Sequence, residues 1–307
     1  MAVYLGEEEI GSIVDLSIPA ENLDTELTEQ EELLTTLEAD VNALEDKPKS
    51  DIQYMIDQTN SCANLFYKYN GTDLSFVKNL DTSNATSMKD MFYACTNLAT
   101  VDLSHFNTSN VKDMSSMFYS CNKFTSLDLI NFNTSKVTTM GDMFNSCSNL
   151  TSLDLSSFDT SKATTMSGMF YRCSSLPNII GSIDCISAQY LSNMFANCTK
   201  LIDVTLKNIK KSLSLSQSKS LSDNSLINTF KELWDLTGQT SQTLTLSTTS
   251  KENIANIYVK LVDVTDEMLA TDPNASNKKP CVVCESTDDG AMTLIEYATT
   301  QKNWAIA

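Results

Sequence analysis

Hydrophobic positions in the middle of the chain follow two alternating rhythms. Val111, Met114, Met117, Phe118 and Cys121 are spaced to share one face of a short helix. Leu127 and Leu129 alternate with Ser126 and Asp128, which predicts a short strand with one buried face. Small polar residues separate strand from helix: Asn107-Thr108-Ser109, Asn133-Thr134-Ser135 and Asp159-Thr160-Ser161. They suit a turn, and a side-chain oxygen there can cap the helix that follows. Each unit therefore reads strand, turn, short helix, turn.

The units repeat. Met-Phe pairs begin at Met91, Met117, Met143, Met169 and Met194, in steps of 26, 26, 26 and 25 residues. A cysteine follows each phenylalanine three residues on, at Cys95, Cys121, Cys147, Cys173 and Cys198. A fixed period of this length marks a stacked array, because no single unit can bury its apolar face alone. Stacking predicts columns of Met117/Met143/Met169, Phe106/Phe132/Phe158 and Leu103/Leu129/Leu155. Burying one such Leu or Phe contributes about 1.5–3 kcal/mol. The predicted fold is α/β: a solenoid of parallel strands and short helices, rising roughly 4.8 Å per unit.

The remaining segments are read in order. Residues 1–20 hold two short apolar runs separated by glutamates and read as an N-terminal attachment arm. Over 21–46, Leu23, Leu27, Leu34, Leu37, Val41 and Leu44 form a heptad seam with a polar interruption at Gln30. Three readings stay open for that helix: packing on a neighbouring element, self-association as a trimer or dimer, or pairing with a basic partner. Residues 47–51 form a linker with Pro48 as the stop. The array spans 52–206, with 52–78 as its N-terminal cap. Residues 207–307 read as longer irregular coils and a cap, with a separate α/β domain as the alternative. Strands are expected at Ser212–Ser216, Thr243–Ser247, Cys281–Cys284 and Trp304–Ile306, and helices at Asp223–Leu236, Lys251–Val262 and Ala291–Thr300.

The motif Cys-x-x-Leu-x-x-Leu-Asp-Leu is similar to the leucine-rich-repeat consensus. The longer pattern, Phe-Asn/Asp-Thr-Ser through Met-Phe-x-x-Cys, resembles the BspA-like leucine-rich repeats of bacterial and mycoplasma surface proteins. The match is close over 79–206 and looser on both sides. This resemblance implies a binding or adhesive scaffold with no enzymatic centre.

A net charge of −18 argues against nucleic acid and anionic membrane surfaces, and favours a basic or neutral partner. The N-terminus reads as lacking a secretory leader, and no apolar run is long enough to span a membrane. The recurring cysteines read as buried free thiols, compatible with a reducing compartment. Cys281 and Cys284 read as structural. The single histidine, His105, occupies a variable repeat position and reads as a surface residue. No catalytic residue, cofactor or metal is expected. Asp102, Asp128 and Asp154 recur on the exposed strand face, where a solvated acidic ladder is weighed against a cation or ligand site on the concave face.

These features lead to an expected non-enzymatic binding protein. The arm, seam and array together look like a tailed-phage tail or baseplate accessory protein, mounted on other virion proteins through residues 1–46. Such a protein would recognise a host cell-surface protein or glycan. The alternatives are a virion decoration protein or a bacterial cell-surface leucine-rich-repeat adhesin. The expected location is the virion, or else the bacterial surface.

Overall fold

Successive repeats are joined backbone to backbone. Met88, Asp90, Phe92 and Ala94 donate their N–H groups to the carbonyls of Asp113, Ser115, Met117 and Tyr119 at 2.7–3.0 Å. The amides between them turn back within the coil: Met91 to Met88, Tyr93 to Asp90 and Cys95 to Phe92, at 3.1–3.3 Å. The same alternation recurs one repeat on, with Met114, Ser116, Phe118 and Ser120 bonding Thr139, Gly141, Met143 and Asn145. The computed structural model describes residues 51–284 and 291–307. Its larger unit runs Ile56–Ala307. The expected arm over 1–20, and the seam of Leu23, Leu27, Leu34, Leu37, Val41 and Leu44, lie outside the described residues.

This bonding corrects the helix expected at Val111–Cys121. An α-helix would close i to i−4 bonds, whereas these amides close i to i−3 turns or leave the coil altogether. The cause is local. Ser116 and Ser120 take φ of 54° and 56°, and Asp90, Asp142, Gly168 and Asn193 take 55–64° at the position matching Ser116. A left-handed residue at the third position of a turn fits the type II geometry and ends helical propagation. The apolar residues are nonetheless where the spacing put them: Val111, Met114, Met117, Phe118 and Cys121 are all fully buried. Phe66, Phe92, Phe118, Phe144, Phe170 and Phe195 stack ring on ring, with centroids 5.4–5.8 Å apart.

The expected strands form only in part. Leu127 and Leu129 are buried and Asp128 is exposed, yet this segment is not a strand. Ladders appear further along: β1 (Leu153–Asp154) pairs in parallel with β2 (Ile179–Ile180), and β3 (Ile183–Asp184) with β4 (Leu206–Lys207). Just after β2, Gly181 sits at φ +94°, where an added Cβ would lie 2.8 Å from the Leu155 backbone. Only glycine allows the two chains to approach so closely.

Buried threonines replace much of the missing ladder. The hydroxyl of Thr108 donates to the Asn133 carbonyl at 3.0 Å and accepts the Asn133 N–H at 2.7 Å. Thr82 does the same for Asn107, Thr134 for Asp159 and Thr160 for Asp184. So the Thr of each Asn/Asp-Thr-Ser turn does not cap a helix in its own unit, but fastens the next one. The cysteines act similarly. Cys121 directs its thiol to the Phe92 carbonyl at 2.9 Å, and Cys95, Cys147, Cys173 and Cys198 repeat that contact at 3.0–3.1 Å.

The C-terminal region has mixed topology. β5 (Leu213–Leu215), β6 (Gln242–Leu246) and β10 (Trp304–Ile306) form a parallel sheet with β6 central. β7 (Tyr258–Leu261) is central to an antiparallel sheet with β8 (Cys281–Cys284) and β9 (Ala291–Thr293). The helix expected over 251–262 divides into α-helix Thr248–Ile254 and β7, and that expected over 291–300 begins as β9. A helix at Asp223–Lys231 is shorter than expected, capped by the Ser222 side chain. The architecture is thus mixed α/β, with parallel sheets and short helices.

Candidate binding surface

The acidic residues read as a ladder are all exposed, and each is occupied inside its own turn. Asp102 accepts the Ser104 N–H at 3.0 Å and its hydroxyl at 2.6 Å. Asp128 accepts the Ile130 N–H at 3.2 Å, and Asp154 the Ser156 N–H at 2.8 Å. These bonds hold the Asp102 and Asp154 carboxyls below the usual carboxylate range. Among the described residues, no group of three or more His, Cys, Asp and Glu is placed to hold a metal ion.

Two other surface features are built from residues that recur at the coil spacing, and the sequence pattern alone points to neither. The first is a tyrosine column. Tyr67, Tyr93 and Tyr119 stack with centroids 4.7 and 4.6 Å apart and ring planes within 14°. Tyr67 is 43% exposed, and Lys68 lies over its ring at 5.2 Å. Partial desolvation in this stack, with the neighbouring phenols second, pushes the Tyr93 hydroxyl up.

The second is a shallow groove of about 550 Å³, lined by Asn60, Asn84, Thr86, Asn110, Lys112 and Lys136. Its floor is inter-coil backbone: Thr86 N–H to Asn60, Lys112 N–H to Thr86 and Thr138 N–H to Lys112, each at 2.8 Å. A side-chain relay crosses it. Asn110 donates its amide to the Ser83 carbonyl at 2.9 Å and accepts the Lys136 ammonium at 2.8 Å.

A separate cluster of charged groups lies in the C-terminal region. The Lys278 ammonium pairs with Glu232 and Asp272, and Lys279 pairs with Asp235 at 3.2 Å. Lys302 is fully buried and donates to the Lys231 and Leu233 carbonyls, which follow from the end of the Asp223–Lys231 helix. Burial pulls its ammonium down to about 7. The Tyr297 hydroxyl donates to the Lys278 and Lys279 carbonyls. None of these groups lines the groove.

The family model described as "Mycoplasma protein of unknown function, DUF285" matches residues 37–129, 60–153 and 86–209. Together these matches cover more than half of the chain. The chain belongs to this family. The family matched is thus not that of the BspA-like leucine-rich repeats, nor one of phage tail or baseplate proteins, and both resemblances are corrected by it. The last two matches begin 26 residues apart, one repeat of this chain. No curated protein and no solved structure matches the chain.

The overlooked residues left some trace in the sequence. Tyr67, Tyr93, Tyr119 and Tyr171 sit directly after the repeat phenylalanine. The groove lysines left less, since the column of Lys136 holds asparagine at Asn84 and Asn110.

Proposed function

We propose that the protein is a non-enzymatic binding protein of the bacterial cell-surface adhesin type. In this reading its coils form a solenoid whose outer columns meet a surface protein or glycan. The stacked Tyr67–Tyr93–Tyr119 column carries the proposal. A side chain repeated at 4.6–4.7 Å presents one chemical group several times along one line, which suits an extended or repetitive partner. The chemistry on view is consistent with binding: the repeat thiols are buried, and Lys278 and Lys279 are ion-paired with Glu232, Asp272 and Asp235.

The test combines location with adhesion. Intact source cells are treated with protease, and the full-length protein is coated on beads and offered to host cells. Surface cleavage and bead adhesion are the expected outcomes, with adhesion reduced by Tyr93→Ser/Tyr119→Ser. Protection from protease, or no adhesion, would contradict the reading.

A further inference from the structure

We infer that the Asn/Lys groove is a binding site for an anionic polysaccharide, a saccharide chain carrying sulfate or carboxylate groups. The inference deepens the adhesive reading and rests on it.

The chain has 39 acidic and 21 basic residues. Yet the groove is lined by three asparagines, a threonine and two lysines, with no acidic side chain. Two lysines in a lining without a carboxylate offer an anion a place to approach an otherwise acidic protein. The lysines stand on a rigid floor, because the Thr86, Lys112 and Thr138 amides bond from coil to coil at 2.8 Å. Lys136 is further fixed by Asn110, whose amide is itself held by the Ser83 carbonyl. That bond uses one of the three ammonium protons and leaves the others for a ligand. One coil further along the same column, Lys162 reaches the Ser135 carbonyl at 2.8 Å. Cationic groups therefore continue past the groove at the coil spacing.

The lining selects among polyanions. It holds no aromatic side chain on which bases could stack. A net charge of −18 repels a long, densely charged duplex. The lining also has no apolar pocket for peptide side chains, but it offers amides and a hydroxyl that match sugar hydroxyls, with lysines for the acid groups. An anionic saccharide uses all of these.

The test uses the full-length protein and a Lys112→Thr/Lys136→Asn variant. Each substitution installs the residue that the preceding coil carries at the same place, Thr86 and Asn110, so the fold is retained and circular dichroism checks it. Binding of heparin-derived, hyaluronan-derived and neutral dextran oligosaccharides is measured by calorimetry at several salt concentrations. The expected result is binding of at least one acidic oligosaccharide and not dextran, about tenfold weaker in the variant. The dependence of log affinity on log salt should be shallower in the variant by roughly two. Absence of binding to both acidic oligosaccharides, or equal binding by a folded variant, would overturn the inference. If beads coated with that variant still adhere to cells as the wild type does, the groove proposal fails and the adhesive reading stands. If wild-type beads do not adhere at all, the adhesive reading fails instead.

Discussion

The Thr108 hydroxyl bridges both backbone groups of Asn133, accepting its N–H at 2.7 Å and donating to its carbonyl at 3.0 Å. One side chain thus supplies the donor and the acceptor that a neighbouring strand would otherwise provide. Thr108→Val keeps the shape and removes both bonds. It should cost about 2 kcal/mol, the price of leaving partly buried polar groups unmatched. Thr108→Ser keeps the hydroxyl and should cost about 1 kcal/mol for the lost methyl. Urea denaturation of the three proteins checks the order, and equal stability of the Val and Ser variants would contradict it.

The buried cysteines make a prediction about reactivity. Burial pushes the thiols of Cys62, Cys147, Cys185 and Cys198 up to about 12. The thiolate is the reactive form, so these residues should resist iodoacetamide at pH 8 in the native protein and react once it is denatured. Peptide mass spectrometry before and after guanidinium reads this directly. Rapid native labelling of Cys147 would contradict the packing.

Much of this core was legible in the sequence, because burial depends on spacing and the spacing was regular. Met114, Met117, Phe118 and Cys121 are all buried. Their conformation does not follow from that spacing, since a chain of turns can bury the same positions as one helical face. The signal lay in the column Asp90, Ser116, Asp142, Gly168 and Asn193, residue types that suit positive φ better than helix interiors. The threonines read as turn residues, but their bonds run to the next unit and depend on stacking. The groove was barely legible: it arises from residues of four successive coils, and only their juxtaposition brings its two lysines together.

Lys302 predicts a pH dependence of stability. Its folded value, near 7, lies below the ordinary 10.5 of an exposed lysine. Between these values the unfolded chain holds the proton more tightly, so this residue's contribution to stability should rise as pH increases from 7 to about 10. Below pH 7 both states are protonated and the contribution is constant. Cys281, Glu232, Lys278 and Asp235 act on the same group, and Tyr297 lies beneath it at 4.8 Å. The comparison is therefore between wild type and Lys302→Met, by denaturation at several pH values. The rise should be smaller in the variant; identical profiles would contradict the assignment.

Gly181 should tolerate no side chain. At φ +94° and 2.8 Å from the Leu155 backbone, Gly181→Ala should destabilise by about 2–3 kcal/mol. Gly238→Ala, at φ +76° with nothing within 4 Å, isolates the conformational part of that cost and should lose about 1 kcal/mol. Thermal unfolding of both variants gives the comparison.

Excision of repeat units tests most directly whether the coils are interchangeable layers. Removing residues 131–156 takes out one full period and lets Ile130 continue into Ser157 in the same register, whereas removing 131–143 takes out half a period. The full-period deletion should retain the wild-type circular dichroism spectrum and a cooperative, somewhat weaker unfolding transition, while the half-period deletion should lose both. Equal loss of structure in the two deletions would contradict the account.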